Sequence, residues 1–265
     1  MTDPCWRTAF ASVIGTSHTK SGSPCQDTGG CRVVTASNGT EVLVAAVSDG
    51  AGTAARSEAG SALTVHRFLH DFAEAVGHDP TLASIDVAFV REWIKSINCA
   101  IADQASEEGH ETRDYACTLL GAIVGTTGSV YVQIGDGAIV VSTEEPGEYS
   151  WIFWPQHGEY ANTTNFITQE RVVESLLFET GSAVPEIALF TDGIERLVLD
   201  LSARTVHSPS FAPIFAWLAS TGPDRTDGQS PALAAYLASQ HVNSRTDDDK
   251  TLVMATRVSP PASVG

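Results

Sequence analysis

The sequence is poor in positive charge. Among its 265 residues, 15 lysines and arginines stand against 32 aspartates and glutamates, a formal net charge of -17 at pH 7. A nucleic-acid backbone or an anionic membrane surface would repel such a chain, so neither is expected as a primary partner. Long apolar runs are also lacking: none approaches the roughly 18 residues needed to span a bilayer. The first residues, MTDPCWRTAF, have no basic segment leading into an apolar core, so no secretory signal is read there. Cys5, Cys25, Cys31, Cys99 and Cys117 form an odd, scattered set without CxxC spacing, which argues against zinc. The expectation is a cytoplasmic protein with reduced thiols. Internal repeats and low-complexity linkers are missing too.

What the chain does have is 43% hydrophobic residues, enough to bury a core. One domain is expected over residues 1–258, followed by a disordered tail, SPPASVG, at 259–265. Strands are read at 5–14, at CRVVTA and at EVLVAAVS, the last two joined by a hairpin turn at SNGT. GTSHTKSGSPCQDTGG, between the first two strands, reads as a polar loop. From Ser57 the period changes. Ala62, Val65, Leu69, Phe72 and Val76 mark one amphipathic helix, and Val87, Val90, Ile94, Ile97 and Ile101 a second. Strands return at 116–125, 129–137, AIVVST and YSWIFW, then near 167–178 and at 186–193. Helical pieces follow around 194–200, 211–220 and 231–241, and DDDKTLVMATRV closes the chain. Grouped helices among many short-turned strands predict an α+β fold with two packed antiparallel sheets and helices outside.

Three apolar strands end in Asp-Gly: Asp49-Gly50, Asp136-Gly137 and Asp192-Gly193. Asp27 follows the early loop, and Asp247-Asp248-Asp249 precede the last strand. A single Asp-Gly is usually a turn, and Asp136 reads as no more than a turn residue in a tight hairpin. Asp49 and Asp192 close strongly apolar runs, where an unpartnered charge is costly. Acids gathered on one rim of a sheet repel one another unless a cation holds them, and hard divalent ions with oxygen ligands suit that role, Mg²⁺ or Mn²⁺ above all. Glycine after such an Asp leaves its carbonyl free for close approach. Surplus surface acid remains the commoner source of negative charge.

In order along the chain, QD at 26–27, VAAVSDGAG at 44–52, ACTLLGAIV at 116–124, VQIGDGAIVV at 132–141, ALFTDGIER at 188–196 and DDKTLVMA at 248–255 resemble the motifs of the metal-dependent PP2C (PPM) protein phosphatases. The resemblance runs from about Gly15 to Val258, and GTSHTKSGSPCQD and GEYANTTNF point to a bacterial branch. It implies a four-layer αββα sandwich and hydrolysis of phosphoserine or phosphothreonine in proteins by a hydroxide bridging two Mg²⁺ or Mn²⁺ ions. It further implies that Asp49 bridges the ions, that the Gly50 carbonyl binds one, and that Asp192 and Asp248 complete the other. Asp27 would hold metal-bound water or ligate directly. Asp114 falls near the acid of an optional third metal site. The implied partners are a phosphorylated protein and a cognate Ser/Thr kinase.

The chain departs from the family pattern at three places. Ala51 stands where many eukaryotic members carry His, Gly22 where the phosphate-binding Arg is found, and Gln26 where Glu is common. His18, Lys20 and Arg56 are candidate replacements for the Arg, each with a solvated or capping role as the alternative. WIFWPQHGEYANTT, at 151–164, reads equally as core tryptophans with a surface loop or as a flap beside the site. A catalytically weak module of the same fold that binds a phosphoprotein or a regulatory partner is the rival to the enzyme.

Overall fold

Strand β3 (Glu41–Ser48) explains the layering. Every residue from Val42 to Ser48 is buried, which requires cover on both faces of its sheet. Successive strand side chains point to opposite faces. Val42, Val44 and Ala46 accordingly join a core with the helices, while Leu43, Ala45 and Val47 join a core facing the other sheet.

The computed structural model describes residues 5–36, 38–155, 164–221 and 229–258. Strands β2 (Thr28–Thr35), β3, β4 (Leu119–Val124), β5 (Gly128–Ile134) and β8 (Leu177–Ser182) form one sheet in that order. The second sheet runs β1 (Cys5–Val13), β12 (Lys250–Val258), β9 (Glu186–Phe190), β6 (Ala138–Ser142) and β7 (Tyr149–Trp151). Every pairing in both sheets is antiparallel. Helices α2 (Ser57–His78) and α3 (Val87–Glu108) cover the first sheet. Helices α5 (Ser208–Ser220) and α6 (Pro231–Leu237) cover the second. The middle core sets Leu43, Leu120 and Tyr131 of one sheet against Ile139, Leu189 and Val253 of the other. The result is the expected α+β, four-layer αββα sandwich. The minor pieces are α1 (Thr16–Ser21), α4 (Glu195–Val198), α7 (Gln240–Asn243) and a ribbon of β10 (Leu199–Asp200) with β11 (Thr205–Val206).

Four local expectations are corrected. The early polar loop contains α1, anchored where the Ser17 amide donates to the Asp247 carbonyl at 2.9 Å. Ala62 on α2 is exposed; the helix instead buries Ser61, Thr64, Val65, Phe68, Phe72 and Val76, because its first turns pack through small residues against Tyr115 and Cys117. The strand expected near 167–178 is a 3-10 turn at Val172–Glu174 followed by β8. Ile167 and Val172 are drawn into the helix-side core instead of a ladder. Finally, β5 and β6 are no hairpin, since they belong to different sheets. The tail expected at 259–265 lies outside the described residues. Among those described, no helix is long and apolar enough to cross a membrane.

Candidate metal centre and active site

The strand ends of both sheets meet at one rim, and a cleft of about 510 Å³ opens there. Asp49, Gly50, Asp136, Asp192, Asp247 and Asp248 line it. Asp49 leaves β3 with its backbone pinned: its amide donates to Thr118 Oγ1 at 2.9 Å, and its carbonyl accepts from the Thr118 amide at 2.8 Å. A Cβ on Gly50 would lie 2.7 Å from the Gln26 carbonyl oxygen and 2.9 Å from Ser57 Cβ. Glycine is what lets this corner close. Asp192, just beyond β9 on the other sheet, opens a short 3-10 turn, Asp192–Ile194, and a Cβ on Gly193 would collide with the Asp249 carbonyl.

Asp27 is buried behind Asp49, where it accepts from Thr191 Oγ1 at 2.7 Å and shares a hydrogen bond with Asp49. Burial, opposed by the Thr191 bond, pushes Asp27 up to about 7. Burial also holds Asp49 well above the usual carboxylate range, with Asp27 and Asp192 adding repulsion. Asp192 rises to about 6 through burial and then the charges of Asp136 and Asp248. Glu195 behind it rises to about 8, again through burial first and then Asp192 and Asp136. Like charges gathered in a desolvated place are the cause throughout.

The neighbouring acids Asp248 and Asp249 part company. Asp248 faces the cleft. Asp249 is buried and accepts from the Gly15 and Gln26 amides, each at 2.6 Å. Asp136 is more than the turn residue its sequence context suggests. It stands where the chain crosses between the sheets, between Gly135 and Gly137 at φ 102° and 98°. Its carboxylate accepts from Thr164 Oγ1 at 2.8 Å, and it faces the same cleft. The signal was available in the repeated strand–Asp–Gly pattern. Asp114 does not line the cleft; its carboxylate accepts from the Glu111 amide at 3.0 Å, while its carbonyl accepts from the Arg56 amide in the loop after Asp49. Of the three cationic candidates, only His18 lines the cleft. Lys20 is exposed, and Arg56 pairs with Glu108 at 2.9 Å. Most of the aromatic and polar segment, 156–163, lies outside the described residues, but Thr164 and Phe166 just beyond it reach the cleft.

The donor set suits hard divalent ions. Every candidate is an oxygen, and Gln26 Oε1 is a further buried oxygen at the cleft that has no hydrogen-bond partner among the described residues. Among those residues, no three His, Cys, Asp or Glu side chains already close on a single point; the fit therefore rests on donor chemistry. Thiol chemistry is disfavoured, because burial pushes Cys25 and Cys31 up to about 12.

A two-sheet sandwich with an acid-lined rim defines the class, and comparison with known proteins gives the family. The protein phosphatase 2C family profile matches residues 14–238, and the chain belongs to that family. Serine/threonine-protein phosphatase 3 of Escherichia coli K12 is 35% identical over 256 residues, covering 94% of this chain and 98% of that protein. Among solved structures, the serine/threonine phosphatase Stp1 of Staphylococcus aureus superposes with a TM-score of 0.63 at 17% identity, covering 95% of each chain. PppA of Pseudomonas aeruginosa, described as a regulatory component of its T6SS, gives 0.63 at 16% identity, covering 96% of this chain and 99% of its own. These two likenesses speak to the fold.

Proposed function

We propose that this protein hydrolyses phosphoserine and phosphothreonine esters in proteins, using two Mg²⁺ or Mn²⁺ ions held at the acidic rim. The observation that carries the reading is the meeting of Asp49 and Asp192, each at the end of an apolar strand from a different sheet, in one cleft with Asp248. Family membership and the E. coli relative's description support the substrate class.

In this reading Asp49, the Gly50 carbonyl, Asp192 and Asp248 would hold the ions, with Asp49 central to the set. Asp27, fixed by Thr191, orients Asp49 and the solvent beside it. Asp114 belongs to an optional third site. When bound, such ions neutralise phosphoryl oxygens and activate water for in-line attack on phosphorus. The protein's own part is to fix these carboxylates before substrate arrives, so that little reorganisation is left for the reaction. A cognate kinase would supply the phosphorylated protein.

The test is Mn²⁺-dependent hydrolysis of p-nitrophenyl phosphate and of a phosphothreonine peptide by the wild type and by Asp49→Asn. Metal-dependent turnover that the substitution abolishes, with the circular dichroism spectrum intact, is expected. Absence of turnover in a wild type that still binds Mn²⁺ would favour a phosphoprotein-binding module.

A further inference from the structure

A phosphomonoester cleft normally meets its anion with lysine or arginine. No lysine or arginine lines this one among the described residues. The one titratable nitrogen side chain in the lining is His18 on α1, and its surroundings fix its chemistry. Nδ1 is hydrogen-bonded to the Pro24 carbonyl oxygen at 3.2 Å. It also lies 2.9 Å from Oδ2 of buried Asp249. Both neighbours are acceptors, so Nδ1 must carry a hydrogen in either protonation state of the ring. Nε2 has no partner among the described residues, and the side chain is 17% exposed.

Asp249 is well placed to orient a ring. Its carboxylate is locked by the Gly15 and Gln26 amides, and buried Lys250 donates to the carbonyls of Asp248 and Ile14 on either side. One buried acid thus ties the base of α1, the start of β12 and the loop before β2 together beneath the imidazole.

Resting on the phosphatase reading above, we propose that His18 is a catalytic residue that protonates the leaving ester oxygen of the substrate from Nε2, with Asp249 as its positioning residue. As the attacking water oxygen forms its bond to phosphorus, the bond from phosphorus to the serine or threonine oxygen breaks. The electron pair of that bond stays on the departing oxygen, which takes the Nε2 proton. The proton lost by the attacking water passes to solvent, and the imidazole regains one from solvent. The sum is ester plus water giving alcohol plus phosphate.

The test is a leaving-group series under saturating Mn²⁺, comparing wild type with His18→Asn. An alkoxide needs a proton as it leaves and p-nitrophenolate does not. The expected result is a fall in kcat of about 100-fold on a phosphothreonine peptide and under about threefold on p-nitrophenyl phosphate. The ratio of the two is independent of how much enzyme folds, so Asp249→Asn can be read in the same way even if it is less stable. It should lose the same selectivity in part. Equal losses on both substrates, or none, would overturn the acid role; a rise in KM with kcat intact would make His18 a phosphate binder instead. A wild type inert on both esters would overturn the phosphatase reading, and this proposal with it. Independently of turnover, nitrogen-15 NMR of the neutral His18 ring should show the hydrogen on Nδ1, and finding it on Nε2 would contradict the assignment.

Discussion

The Asp-Gly corners at 49–50 and 192–193 sit on different sheets yet do the same thing; the corner at 136–137 looks the same in sequence and is built differently. In the first two, glycine is demanded by close approach: a Cβ would strike the Gln26 carbonyl at one and the Asp249 carbonyl at the other. At the third, a Cβ on Gly137 would likewise strike a carbonyl, that of Phe190 at 2.6 Å, but here Gly135 and Gly137 also take positive φ to turn the chain from one sheet to the other. The first two acids therefore leave a central strand directly at the rim, and the third is carried there by a crossover. Close approach thus demands glycine at all three corners and a positive φ demands it again at the third, and in each the carboxylate ends in the same cleft.

Several substitutions sharpen or break that comparison. The largest effect is expected at the two direct corners. Asp49→Asn and Asp192→Asn should each lower Mn²⁺-dependent kcat on the order of 1,000-fold. Asp136→Asn should cost only about tenfold, as expected of a supporting acid. Steady-state kinetics on one phosphopeptide compares all three, and equal losses would erase the distinction. Gly193→Ala should destabilise by about 1–3 kcal/mol, since backbone must move to admit the methyl. At this chain length that is about 2–4 °C in Tm for each kcal/mol, readable by thermal melts.

The pH dependence of stability tests the crowding directly. Asp27 and Asp192 titrate at about 7 and about 6 in the fold, against 3.8 for an ordinary aspartate. Between those values the unfolded chain has released protons that the folded one keeps, so unfolding is favoured as pH rises. Without divalent ions, Tm should fall by a few degrees from pH 4 to pH 7 on this account, and Mn²⁺ should restore it at pH 7. A Tm that rises over that interval and ignores Mn²⁺ would contradict it. Smallest of all, Asp114→Ala should change kcat by about twofold at saturating metal, because Asp114 lies outside the cleft and serves at most an optional third ion.

Much of the fold was legible because buried strands announce themselves. β3 and β9 carry uninterrupted apolar runs, VLVAAV and IALF, and α2 and α3 carry helical periodicity. What failed had a physical reason in each case. β8 is an edge strand with mostly exposed residues, so its pattern is weak, while Ile167 and Val172 gave a false apolar signal by packing beneath α3. Asp136 looks like a turn residue in sequence because two strands joined by a short Gly-rich turn look like a hairpin. Nothing local says that they enter different sheets. The choice between Asp248 and Asp249 could be made only by a motif; in the structure the backbone amides of Gly15 and Gln26 consume Asp249 and leave Asp248 at the cleft. His18 could be singled out in sequence only as one of three cations, since its partner lies 231 positions away.

The most direct measurement of the central claim is a calorimetric titration of Mn²⁺ into the wild type, Asp49→Asn and Asp192→Asn. If corners from both sheets jointly hold the ions, the wild type binds two and each substitution weakens binding, with Asp49→Asn affecting both ions. Wild-type affinity and stoichiometry retained in both variants would show that the strand-end acids are not the metal centre.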